Sequence, residues 1–188
     1  MDLTSFLNPP ELIKGIWRWS RRPKPIIRFE YRLSRLQENE YCHFRFNAST
    51  NTDSLFFRLG VTNEGKIAIE EADVRVEKIE AVDKDGNAHK VNSAPFFLHW
   101  ANENTDNSPM LYFDMPVFVD FLYTTKGQHV AHFFHKEKHT GAGIKNFLTP
   151  GKWIVTVKLQ GKNTTPIKKQ VSVDFDGQWD RLKMQLKS

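Results

Sequence analysis

A chain of 188 residues that is 39% hydrophobic, 13% aromatic and 26% charged lies in the ordinary globular range, which excludes a disordered polypeptide. One domain of this length buries roughly 70% of its unfolded surface without needing staples, and the lone Cys42 excludes an internal disulfide and points to a reducing, cytoplasmic setting. Residues 1–36 carry eight Lys and Arg against three acidic side chains while the remainder holds 19 of each, so the excess charge belongs to one segment.

Residues 1–25 read as a leader and 26–188 as the domain. Asn8 suits a helix N-cap, Pro9 the first helical position and Glu11 the capping-box partner, which predicts a short helix over 8–20. Leu12, Ile13, Ile16 and Trp17 form its apolar stripe, and Pro23 and Pro25 stop it. Lys14, Trp17, Arg18, Trp19, Arg21 and Arg22 are then candidate contacts to an anionic membrane surface, which favours Trp at the interface and Arg beside phosphate. The same residue types suit nucleic acid through phosphate contacts and stacking, a less favoured partner. The plainer alternative is a stripe that docks on the domain itself. No apolar run approaches the ~20 residues that span a bilayer, and Asn8-Pro9-Pro10-Glu11 interrupts any secretory leader.

From Ile26 onward the period is two. Ile27, Phe29, Tyr31 and Leu33 alternate with charged residues, and Cys42, Phe44 and Phe46 repeat the pattern. Leu55, Phe57, Leu59 and Val61 predict one buried strand face. Asn63-Glu64-Gly65 ends that strand, because an Asn side chain can hydrogen-bond the backbone two residues on. Ala72, Val74 and Val76 resume the alternation, and Asp83 to Asn87 signals a hairpin. Phe96 to Trp100 reads as one short strand. Met110 to Tyr123 alternates for longest, but Pro116 demands an edge, a bulge or a bend. Gln128 to Lys136 predicts a further strand. Trp153, Val155, Val157 and Leu159 should pair with Ile167, Val171, Val173 and Phe175, and Gly177-Gln178-Trp179 should close the domain. Nine or ten strands at such spacing predict an all-β, immunoglobulin-like antiparallel β-sandwich preceded by the short helix.

The Val61-x-Asn63-x-Gly65 turn with Ala68 and Val74-Arg75-Val76, and the later Pro150-Gly151-Lys152-Trp153-Ile154-Val155-Thr156-Val157, resemble bacterial immunoglobulin-like modules of the CARDB type. The resemblance implies a sandwich and no catalytic residues. The chain departs from those modules by a long insertion between the two matches and by lacking their Asn-rich, acidic end.

His129, His132, His135 and His139 are the one cluster of candidate metal ligands. On a helix the i, i+3, i+6 series would drift round one face and could reach a metal, whereas a strand would place His129 and His135 on one face and His132 on the other, so that a site would need help from His43, His89 or His99. Catalytic signatures are missing: there is no nucleophile elbow, no Walker loop and no dinucleotide fingerprint. Asp83, Asp85 and Asn87 lack the glutamate that a calcium loop needs, since Ala94 stands in its place. The expectation is a non-catalytic binding or assembly module with a protein partner, no cofactor and no small-molecule substrate, peripheral at a membrane through its leader. The alternative is a metal-dependent protein using the histidines.

Overall fold

The computed structural model of the protein describes residues 22–30, 41–48, 51–92, 94–101, 108–136 and 146–187. The helix expected over 8–20, with Lys14, Trp17, Arg18, Trp19 and Arg21, lies outside these residues, as does His139. The described chain is all-β and forms two antiparallel sheets around one shared core.

The first sheet contains β1 (Pro25–Arg28), β2 (Cys42–Asn47), β3 (Thr52–Asn63), β7 (His99–Trp100), β8 (Val117–Thr125), β9 (Ala131–Phe133) and β10 (Phe147–Leu148). Its spine is β3, which pairs with β8 along one side and with β1 and β2 along the other. The second sheet contains β4 (Asp73–Val82), β5 (Ala88–Asn92), β6 (Phe96–Phe97), β11 (Gly151–Gly161), β12 (Thr164–Phe175) and β13 (Lys183–Lys187). Leu55, Phe57, Leu59 and Val61 of β3 are buried, as their alternation requires, and so are Val74, Val76, Val155 and Val157 from the opposing sheet. Trp153 faces Val173 and Val155 faces Val171 across the β11–β12 hairpin.

Four features depart from the periodicity. The run from Phe96 to Trp100 is two strands, because the chain crosses between sheets at Leu98: Phe96 and Phe97 pair with β4, whereas His99 and Trp100 pair with β8. Met110 to Pro116 does not join β8. Asp114 adopts φ 54°, and the stretch folds across the end of the sandwich with only Leu111 buried. Trp179 does not close the domain, since β13 follows and adds the buried Met184 beside Val173. Phe46, expected to face the core with Cys42, is 62% exposed at the far end of β2.

Of four register shifts between paired strands, two set the side-chain directions of the outer faces. On β8, Phe57 faces Leu122 but Arg58 faces Asp120, so Phe121 is extra and both it and Leu122 point inward. On β4, Thr156 faces Lys78 but Val157 faces Val76, which leaves Glu77 extra. The bulged Glu77 has a physical role. Arg75, Lys158 and Lys168 lie directly opposite one another across three strands, an arrangement that repels. The Glu77 carboxylate lies 3.1 Å from Arg75, 3.7 Å from Lys158 and 2.6 Å from Lys168.

Asn63 ties one end of the sandwich together. Its Oδ1 accepts from Lys24 N at 3.0 Å and Gly65 N at 2.9 Å, and its Nδ2 donates to Ile67 O at 2.8 Å and Leu111 O at 3.2 Å. All four hydrogen-bonding positions of the amide are thus used. Gly65 is required beside it: a Cβ there would stand 1.9 Å from the carbonyl oxygen of Arg22.

Candidate functional site

An antiparallel sheet with one face on the core normally turns polar side chains outward. The outer face of the second sheet obeys, with the Arg75, Lys158, Lys168 and Glu77 group and a Lys78–Glu80 ion pair at 2.6 Å. The outer face of the first sheet does not. His43 faces Phe56, Phe56 faces Tyr123, Tyr123 faces His132 and His132 faces Phe147, each directly across a strand pair. Five aromatic or imidazole rings therefore stand in one row across β2, β3, β8, β9 and β10.

The rings are stacked on one another. Centroids are 5.3 Å apart from His43 to Phe56, 5.8 Å from Phe56 to Tyr123 and 5.2 Å from Tyr123 to His132, with interplanar angles of 12°, 18° and 23°. Phe147 ends the row at 6.3 Å from His132, tilted by 54°. Phe134 leans on Tyr123 at 4.7 Å and on Phe56 at 5.5 Å, and the Arg45 guanidinium stands 5.4 Å from the centre of Phe56. The strand spacing of about 4.8 Å brings opposed rings to this separation, where each pair is worth about 0.5–1.5 kcal/mol. With their faces occupied by each other, the rings present edges outward. Every member of the row is half-buried.

This environment alters the titratable members. Burial holds the His132 imidazole below its ordinary range and pushes the Tyr123 phenol above its own. At neutral pH both are uncharged, and fixed charges flank the face at Arg45, at the Arg58–Asp120 pair, whose Nε–Oδ1 distance is 2.6 Å, and at Lys126, which shares a cleft with Phe56 and Tyr123.

Comparison with known protein families, characterised proteins and solved structures finds no match.

The structure separates the histidines that the sequence places close together. His132 belongs to the ring row. His129 is exposed, with Nδ1 3.1 Å from Gly177 O. His135 sits edge-on to Phe96 at 6.2 Å, and its Nε2 accepts from Asn146 Nδ2 at 3.3 Å. Among the described residues no group of three His, Cys, Asp or Glu side chains converges as metal ligands would. Among the described residues, too, no helix is long and apolar enough to cross a membrane. Arg22 is exposed at an open cleft with Lys24, Lys162 and Asn163. Cys42 is buried in the core.

Sequence reading missed the ring row. The available signal was that Phe56 occupies the parity of β3 otherwise held by Arg58 and Thr62, a position where an aromatic needs a reason. Its partners could not be named, because Tyr123 and His132 become its neighbours only through strand register.

Proposed function

We propose that the protein is a non-catalytic binding module that holds a protein partner against the outer face of its first sheet. The observation that carries this reading is the row His43, Phe56, Tyr123, His132 and Phe147 on a face that would otherwise be polar. Aromatic side chains with a flanking Arg are the composition of interface hot spots, and half-buried rings lose little conformational entropy when a partner covers them. The immunoglobulin-like class, and kinship with CARDB-type modules, are the architecture we infer. They draw support from two antiparallel sheets sharing a core and from the Asn63-Gly65 turn. A cytoplasmic placement goes with a single cysteine, Cys42, buried in the core.

The test uses the full chain with Tyr123→Ser and Phe134→Ser combined, captured from source cells beside the native protein and identified by mass spectrometry. The variant should melt earlier through the loss of its ring contacts, and a partner retained by the native chain but lost by a variant that still melts cooperatively above the capture temperature supports the reading. An identical partner set for both proteins, or no specific partner for either, sinks it.

A further inference from the structure

Among the described residues, seven large apolar side chains are conspicuously exposed, and five of them gather at one end of the sandwich: Ile67, Met110, Tyr112, Phe113 and Met115. Chain pairing shows that they are neighbours. Leu111 bridges Ile69, Phe113 bridges Asn63, and the Asn63 amide reaches both Ile67 O and Leu111 O. Leu111 plugs the core while the residues around it turn outward, 45% exposed at Ile67, 55% at Tyr112 and Phe113 and 58% at Met115. Single exposed apolar residues are ordinary, but a cluster of large ones marks a surface that meets something apolar.

The charge arriving at this end names the occupant. Gly65 packs on the Arg22 carbonyl, Lys24 N donates to Asn63 and Glu64 N donates to Lys24 O at 2.9 Å. The leader therefore joins the domain beside the apolar cluster. Residues 1–25 carry five Lys and Arg against two acidic side chains. Of the domain's own described side chains there, Arg28 pairs with Glu64 at 2.7 Å, Lys162 with Glu71 at 3.4 Å and Lys136 with Asp73 at 3.6 Å, which leaves Lys66 against the exposed Glu70 and Asp114. Net attraction thus comes from the leader, and apolar contact area from the domain. We propose that this end, residues 63–69 and 108–116, lies on an anionic lipid bilayer and inserts Ile67, Tyr112, Phe113 and Met115 at the headgroup boundary, the basic charge of residues 1–25 favouring the anionic surface. Apolar insertion and basic side chains together give reversible attachment where neither suffices alone. This assignment is independent of a partner on the ring row, which occupies a different face.

Vesicle partitioning of the full chain tests it, with phosphatidylserine-containing and pure phosphatidylcholine membranes compared. The native chain is expected to bind the anionic vesicles. Phe113→Ser with Met115→Ser should weaken that binding at least tenfold, since a buried Phe or Met side chain contributes that much or more, while leaving the melting transition unchanged. Arg18→Gln with Arg21→Gln should weaken it about 25-fold, at about fivefold for each basic residue. Position is read with an environment-sensitive fluorophore on Met115→Cys, and on Phe46→Cys as the control from the opposite end of β3; Cys42, 2% exposed, does not compete for label. A blue shift from position 115 alone on anionic vesicles is the expected result. The proposal is overturned by no vesicle binding, by equal binding to the neutral vesicles, or by binding that the Phe113 and Met115 changes leave untouched. It is equally overturned if those changes abolish a dimer in solution, which would assign the end to a second copy of the chain.

Discussion

Asn63 is the residue whose loss should damage the most structure. In Asn63→Ala the N–H groups of Lys24 and Gly65 lose their acceptor, and the carbonyls of Ile67 and Leu111 lose a donor. At about 1 kcal/mol net per bond, and somewhat more where a buried group stays unsatisfied, the cost is about 3–5 kcal/mol, a large share of an ordinary domain's stability of about 5–15 kcal/mol. Asn63→Asp sharpens the argument. It keeps an oxygen for the two N–H groups but turns the other oxygen toward two carbonyls, at the 2.8 and 3.2 Å now spanned by hydrogen bonds. The introduced carboxyl is favoured protonated, so its folded-state pKa lies above its unfolded one. Stability is then fully present below the unfolded value, about 3.9, and is lost as pH rises through the folded one. Urea unfolding, followed by the fluorescence of the buried Trp100 and Trp153, should show a deficit against the native chain that is small near pH 4 and large at pH 7. A deficit below 1 kcal/mol for Asn63→Ala, or one that ignores pH for Asn63→Asp, would refute the assignment of this amide as the knot of that end.

Gly65→Ala should cost about 3 kcal/mol, because its Cβ would lie 1.9 Å from Arg22 O and 2.7 Å from Lys24 N, both backbone atoms; faster tryptic cleavage after Arg22 and Lys24 would register the release. Glu77→Gln should destabilise by about 0.5–1 kcal/mol at pH 7 by leaving Arg75, Lys158 and Lys168 without their counter-ion. The Lys168 hydrogen bond foremost holds the Glu77 carboxyl below its usual range. Its contribution is therefore present above the ordinary carboxylate pKa and lost as pH falls, and a melting difference that persists at pH 3 would contradict it. His132, held below the ordinary imidazole range by burial, takes up a proton more readily once unfolded. Native stability should thus decline as pH drops below about 6.5, and His132→Phe should remove that part of the decline; a profile unaltered by the substitution would show that the imidazole titrates freely.

What could be read from the sequence was local. The parity of Leu55, Phe57, Leu59 and Val61 follows from the two-residue period of a strand, and the stop at Asn63 from an amide able to fold back on Gly65. The β11–β12 hairpin was legible because its partners are close in the chain and Trp153, Val155, Val157 and Leu159 alternate strictly. Periodicity broke down where a longer-range choice intervened. Phe113 and Met115 share the parity of Val119, yet Asp114 turns the backbone and they face outward. Leu98 continues the pattern of Phe96 and Trp100 while passing from one sheet to the other.

The sequence by itself determined the strand class, most of the core and the uneven charge, since each depends on residue type and near neighbours. Tertiary structure alone decided the two surfaces on which function is proposed. Phe56, Tyr123 and His132 stack because register aligns strands far apart in the chain. The segments carrying Ile67 and Leu111 come together beside Lys24 because one amide, Asn63, draws three separate segments to a single point.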